Sequence, residues 1–357
     1  MSASGWSKGL LGGLFLAVAA YLLRPLKERA EVHTMSRGNT LYIEDAHEVF
    51  QGDEFQRIST SFGGAQPPGR FLRGRHGATH YFLQSPGSRN APLKSLKEGG
   101  SSDGARLVVM VHGLGTNMHL YDEMVGALLD DGLTVLRYDY FGHGWSAPDD
   151  TYVVYDKKVV LEQLEDLLDH VLGAGGTVHG FVGHSTGGCV GVLAASTLKE
   201  YKFERLLFVS PCFWKEAPFV SNLAGHVPGL VTALLRTGKL DFIPKNDYKV
   251  AGVIAWMREG GNGKYVYPEA VQKKKDADDL MFKHHPFVAP AIASLDLYIL
   301  NKALLASYRE MMRNVVAGGT KVRVLWGEGD QTVPYRFVCA RRSGTPLVEA
   351  TPCHVSS

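Results

Sequence analysis

A serine set between two glycines, where an apolar run gives way to a run of small residues, constrains this chain more than any other stretch. It reads Phe181-Val182-Gly183-His184-Ser185-Thr186-Gly187-Gly188. Val178 to Val182 predicts a short buried strand, and Cys189 to Ala195, mostly small residues, predicts a helix able to pack closely on a sheet. Gly-x-Ser-x-Gly at such a junction puts the serine into strained backbone geometry, and the flanking glycines let strand and helix approach each other. The serine hydroxyl then stands clear of the sheet.

Taken alone, the pattern also fits an ordinary strand-to-helix turn, so its surroundings decide. Upstream, the apolar run Leu107 to Val111 leads into His112-Gly113-Leu114-Gly115. Thr134 to Leu136 leads into Tyr138-Asp139-Tyr140-Phe141-Gly142-His143-Gly144-Trp145-Ser146. Downstream, Ser210-Pro211 follows another apolar run, and Val322 to Trp326 runs into Gly327-Glu328-Gly329-Asp330 and then Val333-Pro334. Short apolar runs thus recur with helical stretches between them.

Between about Leu107 and Pro334, these motifs, in this order, resemble the α/β-hydrolase superfamily, in its serine-nucleophile branch that includes monoacylglycerol-lipase-like enzymes. The resemblance implies an α/β-hydrolase fold: a mostly parallel central sheet with helices on both faces and a helical cap insertion. It implies a catalytic triad in the chain order nucleophile, acid, histidine, with Ser185 as nucleophile. Asp330 is the expected acid, because the family places it three residues after the glycine; Glu328 lies in the same turn. Of the 14 histidines, His354 alone follows Asp330, so it is the expected base. The oxyanion hole is expected from the N–H groups of Leu114 and Thr186. In that scheme the imidazole takes the serine proton and returns it to the leaving alcohol, Asp330 orients the imidazole, and water hydrolyses the acyl-enzyme. The scheme uses no cofactor and no metal.

Other chemistry-bearing residues have structural readings. His112, His143 and His184 lie on the wrong side of Ser185 for the triad order and are expected to pack and hydrogen-bond. His284-His285 has no third ligand at metal-binding spacing. Cys189 reads as a small core residue. The four cysteines (Cys189, Cys212, Cys339, Cys353) form no Cys-x-x-Cys pair and no disulfide framework. A net charge of +2 argues against a polyanionic partner such as nucleic acid.

At 357 residues, with 45% hydrophobic and 21% charged residues, the chain can build one large core plus an inserted subdomain. Residues 31–210 are expected to form the first part of the core, 211–318 the helical cap and 319–357 the last part. Glu54 to Ser61 and Thr79 to Leu83 alternate in the manner of the first two strands, Ser85 to Asp103 reads as a disordered loop, and Leu347 to Ala350 reads as the last strand. The cap is expected from periodic apolar stretches at Phe219 to Leu235, Val250 to Met257 and Ile292 to Met312, with Phe213, Trp214, Phe219 and Phe242 available to line an apolar pocket. The family normally adds a final helix after the histidine. Here three residues follow His354, so the last part of the core is expected to be short.

Residues 1–30 form a separate segment. Gly9 to Leu23 is an apolar run of 15 residues, shorter than the roughly 20 of a comfortable bilayer span. The basic residues Arg24, Lys27 and Arg29 lie behind it, which favours a single-pass N-terminal anchor with the catalytic part on the cytoplasmic side. The alternative is a signal peptide cleaved after Ala17-Val18-Ala19, leading to secretion. The functional expectation is therefore a membrane-anchored serine hydrolase cleaving a hydrophobic or lipid-like carboxylic ester. A carbon–carbon bond hydrolase with the same triad, or a weakly catalytic homologue acting as a binding protein, are the other readings.

Overall fold

The structure is a computed structural model that describes residues 37, 40–43, 49–50, 53–61, 69–87, 93, 95–96, 105–149, 155–212, 288–300, 302–327, 330 and 350–353. In chain order the described elements are β1 (Leu41–Ile43), α1 (Asp53–Ser61), β2 (Arg70–Gly74), β3 (Gly77–Gln84), β4 (Leu107–Val111), α2 (Asp122–Asp130) and β5 (Thr134–Tyr138). They continue with β6 (Ala147–Pro148), α3 (Lys157–Val171), β7 (Thr177–Val178), β8 (Gly180–His184), α4 (Thr186–Thr197), β9 (Lys202–Phe203), β10 (Arg205–Val209), α5 (Val288–Ile299), α6 (Lys302–Ala317), β11 (Lys321–Gly327) and β12 (Ala350–Cys353).

Apolar runs long enough to be buried on both faces read as parallel strands, and that is how they assemble. The main sheet runs β1-β2-β3-β5-β4-β8-β10-β11-β12, with β6 paired to β3. From β5 to β12 every neighbouring pair is parallel. β1, β2 and β3 form an antiparallel flank, and β3 joins β5 antiparallel. β7 and β9 make a separate parallel pair.

Alternate residues of the strands feed two cores. Leu107, Val109, Val111, Leu136 and Phe181 face one side with Leu164, Leu167 and Leu168 of α3, Val190 and Leu193 of α4, Leu295 of α5 and Tyr308 of α6. Val108, Met110, Val135 and Val182 face the other side with Val125 and Leu129 of α2. A smaller cluster under the antiparallel flank packs Phe50, Phe55, Ile58 and Phe71 around Trp145. Burying each such side chain contributes about 1.5 to 3 kcal/mol, so the central strands, apolar on both faces, form the most strongly determined part of the fold.

The structure corrects several sequence expectations. Glu54 to Ser61 is helical, as α1, because Phe55 and Ile58, three residues apart, share one helical face and pack together near Trp145, which a strand would have split between its two faces. The stretch expected as one strand from Val178 to Val182 divides into β7 and β8, which pair in different sheets. The loop expected to be disordered has described residues that are packed: Leu93 N–H bonds to the Leu83 carbonyl, and Leu96 is buried in the main core. The last strand is described over Ala350–Cys353, and Leu347 to Glu349 of the stretch expected as that strand lie outside the described residues. Of the 211–318 segment, residues 213–287 lie outside them too, with Phe213, Trp214, Phe219, Phe242, His284 and His285; α5 and α6, at its end, share the main core with α4. No helix among the described residues is long and apolar enough to cross a membrane, and Gly9 to Leu23 lies outside those residues.

Candidate active site

β8 ends at His184, and the chain turns through Ser185 into α4. Ser185 has φ 52° and ψ −116°, a conformation that costs an L-residue about 1 to 3 kcal/mol and persists only when its surroundings impose it. Three backbone contacts do so. Ser185 N–H donates to the Val209 carbonyl at 2.9 Å, and the Ser185 carbonyl accepts from Gly188 N–H at 3.0 Å and Cys212 N–H at 3.3 Å. The two glycines of the motif are needed for space: a Cβ on Gly183 would stand 2.4 Å from the Gly187 carbonyl oxygen, and one on Gly187 2.2 Å from that of Val111. Although Ser185 sits at the helix N-cap, its side chain makes no capping hydrogen bond; its Oγ lies 3.0 Å from Cys212 Sγ.

The loop after β4 passes directly over this turn. A Cβ on Gly113 would lie 3.0 Å from Ser185 Cβ. Tyr140 N–H donates to His112 Nε2 at 3.1 Å, so the ring proton is on Nδ1, which donates to the Gly113 carbonyl at 2.7 Å. Burial pushes the His112 imidazole down, keeping it neutral. Because a trans peptide points its C=O and N–H in opposite directions, pinning the Gly113 carbonyl on His112 turns the Leu114 N–H away from that ring. The half-buried Leu114 side chain packs against the Val288–Ile292 pair of α5. On the other side of Ser185, the Thr186 N–H belongs to the first turn of α4, whose N–H groups have no partner within the helix and lie at its positive end.

The Asp139 to Ser146 turn supports this loop from beneath. The buried Asp139 carboxylate accepts from His80 Nδ1 at 2.9 Å, Met118 N–H at 2.8 Å and Trp145 N–H at 3.3 Å. Burial alone would raise its carboxyl, but the hydrogen bond and charge of His80, with His112 and the Met118 N–H, outweigh it and hold the group at about 2. Gly144, at φ 52°, has no room for a side chain, since a Cβ would meet that carboxylate at 2.0 Å. Ser146 Oγ donates to the Asp139 carbonyl at 2.8 Å. The turn thereby places the buried His143, whose Nε2 accepts from Gly115 N–H at 3.2 Å. His112 and His143 therefore both hold the glycine loop beside Ser185.

β11, parallel to β8 across β10, carries a further sequence candidate to the same end of the sheet. Asp330, half-buried, follows β11 in a turn closed by its N–H on the Gly327 carbonyl at 3.1 Å. Gly327 pairs with Cys353 at the end of β12. His354 and Glu328 lie outside the described residues. Burial pushes the His184 imidazole down to about 4, against the opposing charge of Asp330. Leu114, Ser185, Thr186 and Asp330 thus all sit at the carboxyl ends of parallel strands, where open α/β sheets bind ligands.

Two contributors were not singled out in the sequence. Tyr121 Oη donates to the Val111 carbonyl at 2.7 Å and accepts from His184 N–H at 3.1 Å, tying together the ends of β4 and β8. Cys212 touches Ser185 itself, and only its short distance beyond the Ser210-Pro211 motif hinted at a role. Cys189, expected in the core, is fully buried, and burial raises its thiol far above its ordinary value. No group of side chains among the described residues could hold a metal ion. A cavity of about 530 Å³ opens at the opposite, amino ends of β10 and β11, between Lys199, Lys202, Arg205 and Lys321, far from this chemistry.

The family model described as serine aminopeptidase, S33, matches residues 103–336. The chain is 30% identical over 139 residues to a monoglyceride lipase homolog of Monkeypox virus, covering 38% of this chain and 49% of that protein. It is 29% identical over 146 residues to the monoglyceride lipase of Rattus norvegicus, covering 38% of this chain and 45% of the relative. The chain thus spans about half the length of the curated relatives it matches. Among solved structures it resembles one from a study of carboxylesterases of Nitrososphaera gargenis, with a TM-score of 0.52 and 16% identity over 80% of this chain and 90% of the other, a likeness of fold. With a family model matching most of its length and the sheet order described above, the chain belongs to the S33 family of α/β hydrolases, alongside monoacylglycerol-lipase-like proteins.

Proposed function

We propose that this hydrolase cleaves a carboxylic ester through an acyl-enzyme on Ser185. The observation that carries the reading is the strained Ser185 backbone at the β8–α4 junction, with its hydroxyl left uncapped and the Gly113–Leu114 loop against it. Ser185 Oγ attacks the ester carbonyl, and the N–H groups of Leu114 and Thr186 receive the developing oxyanion, each donor being worth about 3 to 4 kcal/mol in comparable sites. His354 takes the serine proton and passes it to the leaving alcohol, Asp330 orients that imidazole, and water releases the acid. Atoms balance as ester plus water to acid plus alcohol, with no cofactor consumed.

The substrate side of the proposal is a hydrophobic or lipid-like ester. It is supported by the similarity to proteins named monoglyceride lipases and by the apolar N-terminal run, which would hold the enzyme at a membrane. A fluorophosphonate probe tests the core of the reading without knowledge of the substrate. The probe should label the wild-type protein, mass spectrometry should place the adduct on Ser185, and Ser185→Ala should abolish both labelling and aryl-ester turnover, a loss on the order of 10⁶. Labelling that survives Ser185→Ala, or none in a wild-type protein that hydrolyses esters, would overturn it.

A further inference from the structure

The loop after β10 approaches the nucleophile turn from the neighbouring strand. Ser210, at φ 43°, is held by its N–H on the Leu325 carbonyl at 2.9 Å. Two residues on, Cys212 meets the turn at several points. Its N–H donates to the Ser185 carbonyl at 3.3 Å, its Sγ lies 3.0 Å from Ser185 Oγ, and the same sulfur lies 3.8 Å from Thr186 Oγ1. Cys212 is buried, so little water competes for these contacts.

The Ser185 hydroxyl makes no capping hydrogen bond at the start of α4, and Cys212 Sγ is the side-chain atom set against it. Either atom can donate across that contact; with the serine as donor, the sulfur fixes the direction of its O–H.

We propose that Cys212 is a positioning residue for the nucleophile: its sulfur holds the Ser185 hydroxyl in one orientation at the mouth of the turn. A thiol suits this task because sulfur is a weak acceptor. It fixes the rotamer yet yields the proton to an imidazole when the base engages. An apolar side chain there would leave the hydroxyl to sample other rotamers. The inference rests on the reading of Ser185 as nucleophile and adds to it the group that orients the serine before attack.

The experiment compares wild type with Cys212→Ala, Cys212→Val and Cys212→Ser. It reads the second-order rate of fluorophosphonate labelling, kcat and KM for an aryl ester, and the melting temperature. Misplacement of a reacting group by about 1 Å can slow a reaction roughly 10²-fold; loss of a single weak tether should slow labelling and kcat by about tenfold, with KM unchanged. Cys212→Val fills the space without a polar atom and should show the same loss, while Cys212→Ser, which retains an acceptor, should recover most of the rate. If Cys212→Ala fails to fold, the Val and Ser pair decides. Equal rates in Val and wild type, or a loss that Ser does not rescue, would overturn the positioning role while leaving Ser185 as nucleophile. Absence of labelling in the wild type would instead strike at the nucleophile reading, and this inference would fall with it.

Discussion

The α-carbon of Gly187 packs so closely on β4 that a methyl group added there would stand 2.2 Å from the Val111 carbonyl oxygen. The obstacle is backbone in a central strand, which cannot swing aside. Gly187→Ala must therefore either push α4 off the sheet or change the turn at Ser185. We expect a loss of roughly 1 to 3 kcal/mol or more, the usual range for overpacking a well-filled core, together with loss of probe labelling. Gly126→Ala on α2 is the control: nothing lies within 4 Å of its added Cβ, so the change should be stabilising by about 0.5 to 1 kcal/mol through helix propensity. Thermal melts of the two variants check this, and an unaltered melting temperature for Gly187→Ala would contradict the packing.

The contrast shows why so much of the site was legible in the sequence. Gly183 and Gly144 are demanded by close approaches to Gly187 and to Asp139 within their own motifs, so local spacing carries the signal there, whereas Gly187 is demanded by the Val111 carbonyl of a distant strand. The central strands were legible because burial on both faces leaves uninterrupted apolar runs. The antiparallel flank was not: β1 has three residues, and α1 takes its form from packing near Trp145, far along the chain. The role of Asp139 depends on His80, 59 residues away, and the contact of Cys212 with Ser185 spans a whole helix and strand. Pairings across such distances leave no pattern in a single sequence.

Glu328 stands two positions before Asp330 in the sequence, and the proposed mechanism distinguishes them. An orienting carboxylate fixes the imidazole tautomer and stabilises its cation, and converting such an aspartate to its amide lowers kcat by about 10⁴. Asp330→Asn should show a loss of that order with the melting temperature little changed, whereas Glu328→Gln should stay within a few-fold of wild type. Steady-state kinetics on a soluble aryl ester measures both. The reverse pattern would move the acid to Glu328 and leave the rest of the proposed triad intact.

The N-terminal segment makes an independent prediction. A run of 15 apolar residues followed by Arg24, Lys27 and Arg29 should keep the full chain with membranes through a high-salt wash, because the basic residues bias the run to stay anchored rather than be translocated. Deleting Met1 to Arg29 should release the protein to the supernatant with aryl-ester turnover retained. Recovery of a mature chain from the medium with Ala20 at its N-terminus would show a cleaved signal instead.

Histidine rings shielded from solvent set the sign of the pH dependence of stability. Burial holds His184 down at about 4 from an ordinary 6.5, and it lowers His80 and His112 as well. A group whose affinity for protons is lower in the folded state makes the unfolded chain the better proton acceptor, so stability falls as pH drops below the unfolded value and stops falling near the folded one. For His184 that window runs from about 6.5 down to about 4, with a loss of up to about 3 kcal/mol across it. Asp139, held at about 2 from 3.8, acts with the same sign in a lower window: its stabilisation is complete above 3.8 and is lost as pH falls toward 2. Between pH 6 and 5 the histidines should therefore dominate. Denaturant unfolding at half-unit steps through that interval should show stability falling toward acid, and His184→Gln should reduce the slope by as much as about 1.4 kcal/mol per pH unit, the contribution of one proton. A wild-type stability that is flat from pH 6 to 5 would mean that these rings take up protons in the folded state, and that the glycine loop beside Ser185 is not held by neutral imidazoles.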